Sequence, residues 1–440
     1  MPWILIWFLA SLMVFSASGW SETPSIKRCI FLTLDTCRAD RLTCYGSTTS
    51  QTPFLDSLAE KGTLFEDAMA TAPLTLPSHS SMFTGDLVSH HHVRDNAWYR
   101  LKTRKPTLAE QLQQAGVDTA AVIGAFPLEN RFGIAQGFAY YDDKFLQEPN
   151  KKGDPWYGHR PSRFERPGDE VTDAALKWLK EHGVSGKSFF LWVHYFDPHS
   201  PYKPPPPFDG RFPKQPYNGE VESMDHSIGR LLEGVKELGL EEGTLFVAVG
   251  DHGESLGEHG MEGHGQDLYE VVLRVPLILR LDGVIGAGRK IPGTVQLTDL
   301  YPTVLKYFGQ EPLVPVDGVS LWPTLENQEP VPRKPSFAET IYMERMLKKP
   351  GEGLFCVRAG PWKLIADHEG KAVELYNLDN DPDEGTNLLE DAESWEKAHA
   401  PEMQILLNRY IQETEEESQE AVSELDPETM EAMKSLGYVH

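Results

Sequence analysis

From Lys27 onward, short apolar runs alternate with amphipathic segments. Cys29-Ile30-Phe31-Leu32-Thr33-Leu34 is an almost unbroken apolar run that stops at Asp35. Such runs mark strands buried on both faces. Ser188–His194 and Thr244–Gly250 repeat the pattern; the first leads into Pro198-His199-Ser200-Pro201, the second into Asp251-His252-Gly253-Glu254. Between them lie helical stretches. Thr52 to Gly62 opens with a Thr–Pro cap and first-position pair and closes on Gly, and Thr107 to Gly116 is similar. A strand at Asp118–Ile123 follows, and Val171–His182 and Val221–Leu238 have helical periodicity. This order predicts an α/β fold: a mostly parallel, doubly wound sheet with helices on both faces. Ligands of such sheets bind beyond the carboxyl ends of the strands. Asp35, His199, Asp251 and His252 all fall there.

After Pro335 the texture changes. Phe355–Ala359, Trp362–Ile365 and Val373–Tyr376 are short and separated by turns, which predicts a small antiparallel sheet. The predicted organisation is a leader at 1–20, a catalytic α/β domain at 26–334, a small C-terminal subdomain at 335–390 and an acidic helical tail at 391–440.

Composition narrows the function. The 440 residues carry 66 acidic and 41 basic side chains, a formal net charge of −25. Residues 390–440 hold 14 acidic and three basic side chains, so nearly half the excess belongs to the tail. Phosphate-backbone binding needs a basic face, and none is legible, so nucleic acid is not an expected partner. Residues 1–20 combine an uncharged apolar run with small residues at Ser16–Gly19, as in a cleaved export signal. The basic start of such a signal is missing, which leaves an uncleaved N-terminal anchor open; no later run is long enough to span a bilayer. Export to a periplasmic or extracellular space is expected. Four cysteines make no disulfide framework, although Cys37 and Cys44 either bridge a short loop or stay as separate thiols.

Taken alone, two carboxylates and an imidazole at one sheet edge suit a divalent cation. The segment Ala72-Pro73-Leu74-Thr75-Leu76-Pro77-Ser78-His79-Ser80-Ser81-Met82-Phe83-Thr84-Gly85 gives them a context. It resembles the sulfatase signature Cys/Ser-x-Pro-Ser-Arg, and TPFLDSLAEKGTLFEDAMATAP before it resembles that family's lead-in. The stretches DHGESLGEHG and GHGQDLYEVVLRVPLIL, then Asp299–Thr303, Asp317–Leu321 and Glu374–Leu378, continue the resemblance over roughly residues 26–390. The likeness is to the sulfatase branch of the alkaline phosphatase superfamily. It implies an anionic-ester hydrolase in which Asp35, Asp251 and His252 hold the metal with Thr75 at the nucleophile position. It further implies that Asn96 and His199 meet the substrate's oxygens. His264 falls where many relatives place a Lys and becomes a further candidate for substrate binding; either His199 or His264 is expected to protonate the leaving oxygen as general acid.

Three departures shape the chemistry. Thr75 stands where the family has a Cys or Ser that is oxidised to formylglycine; its β-carbon already bears a methyl group, so no formylglycine is expected. His79 stands where the signature has Arg, and remains a substrate-binding candidate. The Lys-x-His pair that many sulfatases carry is absent from Gly124-Ala125-Phe126-Pro127. A Thr ester must be cleared by water at its central atom, which suits a phosphate mono- or diester, while the family likeness argues for a sulfate ester. One divalent ion is expected, Ca²⁺, Mn²⁺, Zn²⁺ or Mg²⁺, with the Asp–His pair favouring Mn²⁺ or Zn²⁺. Expected substrates are small-molecule or glycan anionic esters. A catalytically inert relative that binds an anionic glycan is the alternative. Among the other histidines, His194 is expected to pack in its strand and His259 either to face the site or to lie on a surface loop.

Overall fold

The computed structural model describes residues 26–96, 98–102, 105–145, 165–342, 353–416 and 427. The predicted leader, and the predicted tail beyond residue 416 apart from residue 427, lie outside them. In chain order the strands are β1 (Arg28–Leu34), β2 (Thr63–Met69), β3 (Asp118–Val122), β4 (Tyr140–Asp142), β5 (Phe189–Tyr195) and β6 (Thr244–Gly250). A two-residue hairpin, β7 (Ser255–Leu256) and β8 (Glu262–Gly263), precedes β9 (Arg274–Arg280) and β10 (Arg289–Gln296). The main sheet runs β10-β2-β9-β6-β1-β5-β3-β4. All its pairings are parallel except those of β9, which runs against both β2 and β6. β1, β5 and β6, the three longest apolar runs in the pattern, form its centre, with both faces covered. The predicted fold class holds; β2, β4, β9 and β10 are the strands the pattern did not single out.

Alternation along the strands splits the core in two. Phe31, Phe190, Trp192, Val247 and Val249 point to one face and pack under the helix Thr75–Thr84 with Leu76, Met82 and Phe83. Ile30, Leu32, Leu191, Val193 and Phe246 point to the other, against the helices Pro53–Lys61, Gly168–Glu181 and Pro216–Glu237. Cys29, Cys37, Cys44 and Cys356 are all free thiols, so the bridge considered for Cys37 and Cys44 does not form. No helix among the described residues is long and apolar enough to cross a membrane.

The second sheet is antiparallel: β11 (Ser336–Thr340), β12 (Leu354–Ala359), β13 (Trp362–Asp367) and β14 (Ala372–Asn377) in sequence order. One face covers a third core with Met403, Leu407, Tyr410 and Ile411 of the helix Ala400–Glu416. That acidic helix therefore folds back on the body as far as it is described. A buried ion network ties the sheets together. Arg358 of β12 reaches Asp67 of β2 at 2.8 Å and Glu270 at 3.1 Å. Lys363 of β13, wholly buried, bridges Glu270 at 3.0 Å and Glu384 at 2.7 Å.

Removing one member of a buried ion group strands its partners without water. Lys363→Ala is expected to cost about 3–5 kcal/mol in urea unfolding followed by circular dichroism. The exposed Lys371→Ala should stay within about 0.5 kcal/mol. Equal effects would mean the network contributes nothing beyond ordinary surface charge.

Candidate active site

Strand parity delivers the acidic ligands. Thr33 of β1 registers with His194 of β5 and with Val249 of β6. Asp35 and Asp251, each two residues further on, inherit the face of Thr33 and Val249, the face covered by the helix Thr75–Thr84. The Asp35 N–H donates to the Tyr195 carbonyl at 3.0 Å, keeping the strand register through the acid. Asp251 Oδ1 accepts from the Thr36 N–H at 3.2 Å and from its neighbour His252 at 2.8 Å. Thr36 has a φ of 50°, in the left-handed region, and its carbonyl is held by the Tyr217 hydroxyl at 2.8 Å. Such strain persists where surrounding contacts over-determine it. Beyond His252, a Cβ at Gly253 would lie 2.0 Å from the Val271 carbonyl, so only glycine lets this loop pass.

Thr75 opens the covering helix, all ten residues of which are buried. Its side chain therefore sits at the positive end of the helix, where developing negative charge is favoured. The Leu76 N–H of that first turn donates to Asn96 Oδ1 at 2.8 Å. This fixes the Asn96 amide and leaves its buried Nδ2 with no acceptor among the described residues, as a substrate oxygen would require. Ser78 Oγ donates to the Asp251 carbonyl at 2.6 Å, pinning helix to strand end.

The donor atoms stand at coordination spacing. His252 Nε2 lies 3.4 Å from Thr75 Oγ1, 3.6 Å from Asp35 Oδ1 and 3.6 Å from Asp251 Oδ2. These separations are long for hydrogen bonds. Atoms about 2.1 Å from a tetrahedral ion, or about 2.4 Å from an octahedral one, sit roughly 3.4 Å from one another. Neither Asp35 oxygen accepts a well-formed hydrogen bond, and Asp251 Oδ2 accepts none. Asp35, Asp251 and His252 thus fit a divalent cation, with Thr75 beside them.

Four histidines share one hydrogen-bond pattern. Nδ1 of His252 faces the Gly253 carbonyl at 3.0 Å, and that of His79 the Thr75 carbonyl at 2.8 Å. Nδ1 of His199 faces the Ser200 carbonyl, and that of His264 meets Glu254 Oε1 at 3.1 Å. A proton held on Nδ1 by an acceptor leaves Nε2 as the lone-pair nitrogen. The His264 ring lies 4.6 Å from that of His252 and 5.0 Å from that of His199, so both come to the Thr75 side of the site. His79 lies deeper, with its ring 5.3 Å from Trp192 and 5.1 Å from His194. His259 stacks on Tyr269 at 3.8 Å instead of joining this group.

Electrostatics without a cation are unbalanced. Burial lifts Asp35 to about 7 against the opposing pull of His252. Burial, and then the charge of Asp35, lifts Asp251 to about 8. Burial also raises Glu254 to about 7 and holds His79 and His199 down to about 3 and His194 to about 4. His79, His194 and His199 are held neutral, and burial holds protons on the carboxylates.

A sulfatase family model matches residues 27–310, well over half of the chain. The chain belongs to the sulfatase family. A model described as N-sulphoglucosamine sulphohydrolase, C-terminal, matches residues 257–413. The N-acetylglucosamine-6-O-sulfatase of Bacteroides thetaiotaomicron is 25% identical, covering 99% of this chain and 94% of its own length. A solved structure in complex with its substrate D-glucosamine-2-N,6-O-disulfate superposes with a TM-score of 0.74 at 22% identity, over 91% of this chain and all of the other. The phosphonate monoester hydrolase of Agrobacterium radiobacter gives 0.72 at 22% identity, over 88% and 96%. This member of the sulfatase family is accordingly a sulfatase-like ester hydrolase.

The structure brings Asp35, Thr75, Asp251, His252, His199 and His264 to one place, with Asn96 braced against the first turn of the helix that Thr75 opens. Sequence reasoning passed over Glu254, which anchors His264, and read His194 only as a packing residue. His194 does pack, but its Nε2 is 3.4 Å from Asp35 Oδ2. One imidazole within the otherwise apolar or aromatic run Phe-Phe-Leu-Trp-Val-His-Tyr was the available signal.

Cation uptake must displace the protons that burial places on Asp35 and Asp251. Both pKa values are raised in the cation-free state, so affinity should rise between about pH 6 and pH 8 as these protons become cheaper to lose, by about tenfold or more. Calorimetric titration with Mn²⁺ in two buffers of different ionisation enthalpy should register proton release at pH 6 and less at pH 8. Asp251→Asn should weaken uptake and flatten the pH dependence.

Proposed function

We propose that this sulfatase-family chain hydrolyses an anionic ester through Thr75, and that the atom under attack is phosphorus. The observation that carries the reading is the Thr75 hydroxyl, 3.4 Å from His252 Nε2 inside the Asp35–Asp251–His252 donor set. A divalent cation held there would neutralise the carboxylates, favour the ionised hydroxyl and stabilise charge on the ester's oxygens. Thr75 Oγ then attacks phosphorus and its bond to phosphorus forms. The bond to the leaving oxygen breaks as that oxygen takes the Nε2 proton of His264, which enters the step as the imidazolium because its neutral tautomer keeps Nε2 as the lone-pair nitrogen. In the second step water gives a proton back to His264, its oxygen attacks phosphorus, and Thr75 Oγ departs ionised. Glu254 positions the His264 ring and supports the imidazolium, which the bound anionic ester further favours. Asn96 Nδ2 donates to a non-bridging oxygen, and His199 flanks the leaving group.

Phosphorus is preferred because a Thr ester has no aldehyde to collapse to and must be cleared by water at the central atom. The sulfatase relatives speak for sulfur, and a substrate panel separates the two. The complete donor set weighs against an inert glycan binder. Glycan or small-molecule esters are the substrate class we propose, with export directed by the N-terminal apolar run.

With p-nitrophenyl phosphate, bis-p-nitrophenyl phosphate, p-nitrophenyl phenylphosphonate and p-nitrophenyl sulfate, turnover should favour a phosphorus ester. Thr75→Ala should lose at least about 10³-fold, because the nucleophile is gone. A preference for the sulfate ester overturns the bond class, and surviving Thr75→Ala turnover overturns the nucleophile. His264→Asn should lose more rate on esters of poor alkoxide leaving groups than on p-nitrophenyl esters, as removal of a proton donor requires. A uniform loss would make His264 a binding residue only.

A further inference from the structure

We infer that the site holds a second cation, between His79, His194, Asp35 and Asp251, on the side of the shared carboxylates away from His264. The inference rests on the first donor set being a metal site and goes beyond the single ion considered so far. His79, His194 and Asp251 each offer an atom within 4.8 Å of the others, and all three are fully buried. Asp35 divides its carboxylate between the two groups: Oδ1 faces His252 at 3.6 Å, and Oδ2 faces His194 Nε2 at 3.4 Å. Asp251 Oδ2 stands 3.6 Å from His252 Nε2 and 3.6 Å from His79 Nδ1, between the same two groups.

Unmet hydrogen-bonding capacity points the same way. Among the described residues, both ring nitrogens of His194, His79 Nε2, both Asp35 oxygens and Asp251 Oδ2 are buried without a well-formed hydrogen bond. Polar atoms in such number are rarely abandoned together in a core. His79 Nδ1 faces the Thr75 carbonyl at 2.8 Å, so its Nε2 is the nitrogen left to ligate, and the 3.6 Å approach of Nδ1 to Asp251 marks only the nearness of the ring. A cluster of imidazoles and shared carboxylates suits Zn²⁺ or Mn²⁺ better than Ca²⁺.

Charge supplies the reason for a second ion. The positive neighbours acting on Asp35 and Asp251 are histidines, neutral unless protonated. Glu254 adds a third buried carboxylate. With His264 neutral and all three carboxylates ionised, one divalent ion leaves this group with net negative charge in front of an anionic ester, and two make it positive.

The test is a count of ions. Chelator-stripped chain carrying His90→Ala, which removes the separate surface cluster of Asp86, His90 and Asp317, is reloaded with Mn²⁺ and weighed by native mass spectrometry. Two ions are expected in this parent and one after His194→Gln or His79→Gln, with folding checked by circular dichroism. Electron paramagnetic resonance should show exchange-coupled Mn²⁺ in the parent and an isolated six-line ion in the variants. If His79→Gln does not fold, His194→Gln and the parent's spectrum carry the decision. One ion in the parent, two in a folded variant, or none in a folded variant overturns the second subsite. No ion in the parent overturns the metal-site reading itself.

Discussion

Two carboxylates buried side by side at the ends of adjacent parallel strands are the constraint around which this structure is arranged. Asp35 and Asp251 are wholly inaccessible to water, and each raises the cost of ionising the other. Burying an unpaired charge opposes stability, so acids placed like this either keep a proton or meet a cation. The surroundings fix their positions. Thr36 is forced into the left-handed region so that its N–H reaches Asp251, and Ser78 ties the nucleophile helix to the Asp251 carbonyl. Asn96 braces the first turn of that helix. Thr75 is placed by the same contacts that hold the acids.

How much of this was legible depends on whether a signal is local. β1, β5 and β6 are continuous apolar runs, and the acids follow them directly, so both sheet and site edge could be read from the chain. β2 and β9 were passed over because Thr63–Met69 and Arg274–Arg280 mix charged and apolar residues and owe their strand state to partners far along the chain. The nucleophile helix was recognised as a motif and not as a helix, since Thr-Leu-Pro-Ser-His-Ser-Ser carries no apolar stripe. All its polar residues are buried, and only tertiary contacts make that affordable. Glu254 and His194 stayed silent for another reason: their meaning lies in what faces them across the sheet.

Net charge misleads here and then becomes informative. A chain at −25 looks unfit to bind an anion. Yet the basic side chains near the carboxyl edge are largely committed elsewhere: Arg38 serves Asp40 and Glu258, and Arg94 serves Glu339. Lys363 and Arg358 lock the second sheet to the first. Surface acidity is distributed and screened within about a Debye length, whereas charge inside a dry site is not. The local field that a substrate meets is therefore set by the donor set and its contents, not by the sum over the chain.

The departures from the sulfatase signature form one pattern. Thr75 replaces a residue that becomes an aldehyde, His79 replaces Arg, and His264 stands where many relatives have Lys. Each exchange removes a permanent charge or a special electrophile and leaves a neutral donor or a plain alcohol. A plain alcohol forms an ester that only attack by water can clear, so the second step needs proton transfer as much as the first. His264, oriented by Glu254 at 3.1 Å, can take and return a proton in a way that Lys with its high pKa cannot. A neutral His79 can be buried against Trp192 beside His194, where an Arg would demand its own carboxylate. On the proposed reading, the exchanges move the burden of positive charge from side chains to a cation held by the donor set and the burden of turnover from aldehyde chemistry to a histidine.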